Sequence, residues 1–183
     1  KRSLSEDISQ RVLPPPRQNQ PPAAWMVVTG NVHYARDRAW FSTYRPVNVT
    51  LGTGGGLGTG AIANTYTSGP GENDGLQVCG VGTVVLEVGE GQEGSDNRGE
   101  GKGRRILLEN VLHIPLALCN GFNPLLLGHG MECTPETWVG KDGSGRILWR
   151  AVPGLSGSRL LLNGENATGE LVDGVDYILA VNV

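Results

Sequence analysis

Aromatic residues make up only 5% of this 183-residue chain, and the hydrophobic fraction is 38%. So few large apolar side chains disfavour a helical bundle and suit short strands joined by many turns. No apolar run approaches the roughly 20 residues that cross a bilayer. The opening stretch, KRSLSEDISQ, lacks the apolar centre of a secretory signal, so a soluble protein with no membrane partner is expected. Cysteine is scarce: Cys79, Cys119 and Cys133 are odd in number and far apart. That excludes a disulfide framework and the close pairs of a zinc knuckle, and points to an intracellular site, cytoplasmic or nuclear. Cationic excess is also missing, with 15 Lys and Arg against 18 Asp and Glu and a net charge of −3. Scattered cations leave no footprint for a nucleic-acid backbone.

Glycine and proline are plentiful, with 29 Gly and 11 Pro. A mass of 19.4 kDa fits one domain and a tail. Residues 1–22 are polar and contain Pro14-Pro15-Pro16 and Pro21-Pro22, so they read as a disordered arm or linker, and the domain spans 23–183. Trp25-Met26-Val27-Val28 reads as a buried strand that stops at a turn. Arg36-Asp37-Arg38 then precedes Trp40, Phe41 and Tyr44, expected as a short helical turn or loop that packs its rings inward. Val47 to Leu51 alternates as a strand should. Leu76 to Val88 reads as two strand pieces around a glycine bend, a hairpin arm or a bulged strand. Arg105 to Ile114 and Leu125-Leu126-Leu127 are expected as core strands. A meander of short strands follows from Thr137 to Val181, and all four tryptophans are assigned to the core.

Two Gly-rich stretches, Gly52 to Gly75 and Gly89 to Gly103, are expected as loops. Gly56-Leu57-Gly58-Thr59-Gly60-Ala61 fits a variant dinucleotide fingerprint, yet no helix pattern or βαβ unit accompanies it. His113, Cys119, His129 and Cys133 lack the compact spacing of a zinc site. No metal and no cofactor are therefore expected. The triplets Asn48-Val49-Thr50 and Asn166-Ala167-Thr168 would accept glycans only in a secreted chain.

The segment Trp25-Met26-Val27-Val28-Thr29-Gly30-Asn31-Val32-His33, with Arg36 to Phe41 beyond it, resembles the opening signature of the retropepsin-like protease domain of copia-type retrotransposon polyproteins. That signature is Trp, two apolar residues, Asp-Ser/Thr-Gly, a few small residues and a His. Leu108-Glu109-Asn110-Val111-Leu112-His113-Ile114-Pro115 followed by Cys119-Asn120 resembles the family's "LxNVLYVP…CNL" segment, and Leu126-Leu127-Gly128 resembles the apolar-apolar-Gly element under its active site. The resemblance runs from about Trp25 to Val183. It implies an all-β, retropepsin-like closed barrel with a Gly-rich flap, whose strands run from Val49 to Gly54 and from Val78 to Val84. The groove and flap candidates it implies are Asn31, His33, Gly52, Gly54, Gly80 and Gly82.

One departure decides the functional expectation: Val28 stands where the family has its aspartate, and a small residue after Gly30 is missing. In these dimers two close carboxylates share a proton, so that one activates water while the other protonates the peptide carbonyl. Valine does neither. None of the chain's aspartates is followed by Ser/Thr-Gly. The degenerate triplet Val28-Thr29-Gly30 therefore implies an inactive, transposon-derived homodimer that holds an extended peptide or protein. The alternative is an active aspartic endopeptidase that uses another acid or an active partner subunit. His33, with no Ser or Cys nucleophile motif beside it, is expected to pack or hydrogen-bond.

Overall fold

The computed structural model describes residues 24–51, 76–89, 104–115, 117, 119–154, 157–163 and 180–181. The arm 1–22, the flap glycines Gly52 and Gly54, the Gly56 to Ala61 fingerprint, residues 90–103 and the Asn166 triplet lie outside them.

The described chain is all-β. Its strands are β1 (Trp25–Val27), β2 (Thr29–Gly30), β3 (Tyr34–Ala35), β4 (Phe41–Leu51), β5 (Leu76–Val88), β6 (Arg104–His113), β7 (Asn120–Phe122), β8 (Gly130–Cys133), β9 (Trp138–Lys141), β10 (Ile147–Gly154), β11 (Gly157–Leu160) and β12 (Ala180–Val181). Two 3₁₀ turns, Arg38–Trp40 and Pro124–Leu127, are the helical elements among the described residues. None is long and apolar enough to cross a membrane.

Ten strands form one sheet in the order β4-β5-β6-β3-β7-β1-β11-β10-β9-β8, and β12 pairs with β2 alone. Among the described residues the expected closed barrel is corrected to an open ladder with β4 and β8 at its ends. The sheet nonetheless curls. An isolated antiparallel bridge joins Val88 to Leu162, where Gly89 N–H donates to Leu161 O at 3.2 Å and Asn163 N–H donates to Glu87 O at 2.8 Å. The end of β5 thereby meets the chain that leaves β11, five strand pairings away in the ladder.

β1 lies inside this curl, parallel to β7 and antiparallel to β11. Successive side chains of a strand point to opposite faces. Trp25 accordingly joins one apolar cluster, with Phe41, Leu86, Phe122 and Trp149, while Ala24, Met26 and Val28 join a second with Val32, Tyr34 and Ile114. Burial on both faces explains why 24–28 reads as an unbroken apolar run. Trp25, Trp40 and Trp149 are buried, and Trp138 packs against the first cluster from its rim.

The Arg36 to Trp40 turn forms as expected: the Asp37 carboxylate accepts from Ala39 N–H at 2.8 Å and caps the 3₁₀ turn. β5 is one continuous strand, and the register shifts along it place the extra residues in its neighbours β4 and β6. Residues 125–127, expected as a strand, are a 3₁₀ turn instead. Asn123 caps its start, Pro124 presets its first φ, and Gly128 ends it in the left-handed region at φ 66°. Leu125 is 65% and Leu126 47% exposed, so they are not core residues.

Candidate functional site

Immediately after β1 the chain turns through Thr29 and Gly30, and Gly30 adopts φ 103°, a conformation that favours glycine. β12 pairs with β2 in parallel here, Ala180 beside Thr29 and Val181 beside Gly30. The turn delivers His33 into the interior, where it is 3% exposed and stacks on Phe122 with ring centroids 6.0 Å apart. Its Nδ1 accepts a hydrogen bond from Asn123 N–H at 3.0 Å, which places the ring proton on Nε2 in the neutral form. Burial without an acidic partner lowers its pKa to about 4.

Asn123 is the node of this region, and it lies outside every motif that carries the resemblance. Fully buried, it donates from Nδ2 to Gly30 O at 2.9 Å, and its Oδ1 accepts from Leu125 N–H at 3.1 Å. One side chain thus fastens the signature turn to the 3₁₀ turn of 124–127. An Asn directly before Pro-Leu-Leu-Leu is the capping signal that a strand reading overlooks. Asn123→Ala strands Gly30 O and Leu125 N–H, and is expected to cost about 2–3 kcal/mol, measured by urea unfolding. An unchanged midpoint contradicts this bridging role.

Between the two turns lies an open cavity of about 620 Å³. Asn31 and His33 line it from the signature side, Leu126 and Leu127 from the 3₁₀ turn, and Glu109 and Asn110 from β6. Asn110 sits there because β6 carries a bulge. Gly82 pairs with Val111 and Val84 with Leu108, so β6 holds one extra residue, and Asn110 absorbs it at φ 53°. Asn tolerates that left-handed conformation better than most residues.

Of the residues singled out in the sequence, Asn31, His33, Leu126 and Leu127 meet at this cavity. Val28 is 2% exposed within the second apolar cluster and does not line it. Thr29 is exposed and Gly30 half-buried. Gly128 serves the 3₁₀ turn as its C-cap. Gly80 and Gly82 lie in β5 against β4. A Cβ on Gly80 would come within 2.2 Å of the Tyr44 ring, and one on Gly82 within 2.0 Å of Thr43 O. Both positions permit a close approach of β4, and neither lines the cavity.

Tyr44 above Gly80 donates its hydroxyl proton to Cys79 O at 2.9 Å and lies 2.8 Å from His113 Nδ1. Desolvation lowers the pKa of His113. Cys119 is buried 3.9 Å from Tyr34 Oη, and burial pushes its thiol up to about 11, away from thiolate chemistry. Cys133 is exposed on β8. No group of three or more His, Cys, Asp or Glu side chains is placed to hold a metal among the described residues.

Among the described residues the cavity therefore offers an apolar wall, the two carboxamides of Asn31 and Asn110, a neutral imidazole and one carboxylate, Glu109. That set suits recognition of an extended chain by side-chain pockets and hydrogen bonds. Comparison with protein-family models, with curated proteins and with solved structures finds no match to this chain.

Proposed function

We propose that this chain is a catalytically inert, retropepsin-like module that holds an extended peptide, or a segment of a second copy, at the cavity between the signature turn and residues 124–127. The observation that carries the reading is a pairing of facts. The cavity gathers Asn31, His33, Leu126 and Leu127, while Val28, at the family's aspartate position, packs into apolar core. An acid pair that shares a proton is the minimum for aspartic peptidase chemistry. Val28 supplies neither member.

Leu125 and Leu126 are exposed large apolar residues beside the cavity, as docking surfaces are. The rival reading, an active aspartic endopeptidase, rests on Glu109, the one carboxylate that lines the cavity among the described residues. Light scattering over a concentration series, with a peptide-cleavage assay at acid pH on the same samples, separates the two. The proposal expects no cleavage, together with either a stable dimer or a monomer that captures extended peptides. Leu126→Glu is expected to weaken that association by about tenfold or more. Cleavage that Glu109→Gln abolishes overturns the proposal in favour of the peptidase.

A further inference from the structure

A second cavity, of about 410 Å³, shares no lining residue with the first. Arg104, Arg146 and Arg150 line it, together with Ile147, Leu148 and the edge of Val88, whose side chain is buried in the first apolar cluster, and no carboxylate lines it among the described residues. Two other cations of the described fold stand beside carboxylates. Arg105 faces Glu87 across β5 and β6 at 3.9 Å, and Lys141 Nζ meets Glu132 at 2.6 Å. One position earlier in the same ladder Arg104 faces Val88, not an acid.

The walls are braced. Arg104 Nη1 donates to Ile147 O at 2.6 Å, tying the start of β6 to the start of β10 and using one of the guanidinium's five N–H donors. Asp142 holds Arg146 through Nε at 3.1 Å, but its other oxygen is engaged by Ser144 N–H, Ser144 Oγ and Arg146 N–H within its own turn. Those bonds, the Ser144 hydroxyl foremost, keep its carboxyl well below the usual range and hence anionic. That carboxylate grips Arg146 by Nε, on the stem side of the guanidinium, and orients the arginine.

Arg104, Arg146 and Arg150 give this cavity a cationic lining, which favours an anion over a neutral ligand. A single carboxylate matches one guanidinium fork, whereas a phosphate dianion presents enough oxygens for several. The apolar wall then gives the carbon side of an ester a place to rest. We propose that this cavity is a binding site for a phosphate monoester, with Arg104, Arg146 and Arg150 as the anion-binding side chains and Ile147 and Leu148 as the seat of its organic group.

Calorimetric titration of the full chain with phenyl phosphate tests this, with inorganic phosphate, benzoate and a phosphoserine peptide as comparison ligands. Phenyl phosphate is expected to bind saturably, more tightly than inorganic phosphate, and at least about tenfold more tightly than benzoate. Binding is expected to weaken with added salt and on acidification through about pH 6, where the dianion gains a proton. Arg146→Gln, at an exposed side chain whose loss the fold tolerates, is expected to weaken it by about tenfold. Arg104→Gln is expected to do the same and also removes the tie to Ile147. Of the esters, the tighter of phenyl phosphate and the phosphopeptide identifies a small molecule or a modified chain as the source. Absence of saturable binding at millimolar ligand, or binding indifferent to Arg146→Gln, overturns the proposal.

Discussion

Val28→Asp is expected to destabilise the fold by about 4 kcal/mol or more at pH 7 and to yield no peptidase activity. Val28 belongs to an apolar cluster of Ala24, Met26, Val32, Tyr34, Val78 and Ile114, and it is 2% exposed. Removing its buried methyl groups forfeits about 1.5–3 kcal/mol of transfer free energy. A carboxylate placed there loses water and gains no cation, so its pKa rises, by up to about 3–5 units for a fully buried group. The folded pKa then exceeds the unfolded one. The defect is therefore smallest below the unfolded value, near pH 4, and grows as pH rises through the folded value. Urea melts of wild type and variant at several pH values read this directly. A variant as stable as wild type, or one that cleaves peptides in acid, contradicts the placement of Val28.

His33 gives the second large effect, with the opposite pH dependence. Its folded pKa of about 4 lies below its ordinary value of 6.5, so the unfolded chain binds the proton first. The stability His33 confers is present above pH 6.5 and is lost as pH falls toward 4. A shift of about 2.5 units corresponds to roughly 3 kcal/mol. His113, whose pKa burial also lowers, adds to the same trend. His33→Asn offers an oxygen to Asn123 N–H and does not titrate, so the stability difference between wild type and variant is expected to shrink steadily from pH 7 to pH 4. A difference that stays constant over that range shows that His33 protonates freely in the folded state.

Much of the architecture was legible because strand periodicity and turn chemistry are local. The buried run at 24–28, the capped turn at Arg38–Trp40 and the meander of β9 to β11 each announce themselves within a few residues, whereas β8 carries no such pattern. Residues 125–127 were misread because three leucines look the same in a buried strand and in an exposed turn. Asn123 and Pro124, just upstream, carry the deciding signal. The curl of the open sheet was beyond reach, since the Val88 to Leu162 bridge joins residues whose pairing no local pattern encodes, and the closed barrel came from the resemblance alone.

The candidate site divides the same way. Asn31, His33, Leu126 and Leu127 were singled out by resemblance, and the fold brings them to one cavity. Asn110 and Glu109 reach it only through a bulge that follows from the β5–β6 register. Gly80 and Gly82 mark a close strand approach beneath Tyr44 and Thr43, a packing demand that a lone glycine in a sequence does not distinguish from a flap.

An acid-pH cleavage assay of the unmodified chain on a broad peptide library, with and without an aspartic-peptidase inhibitor, tests the central claim most directly. An inert binding module predicts an intact library at every enzyme concentration, with selected extended peptides retained uncut. Inhibitor-sensitive cleavage would contradict it.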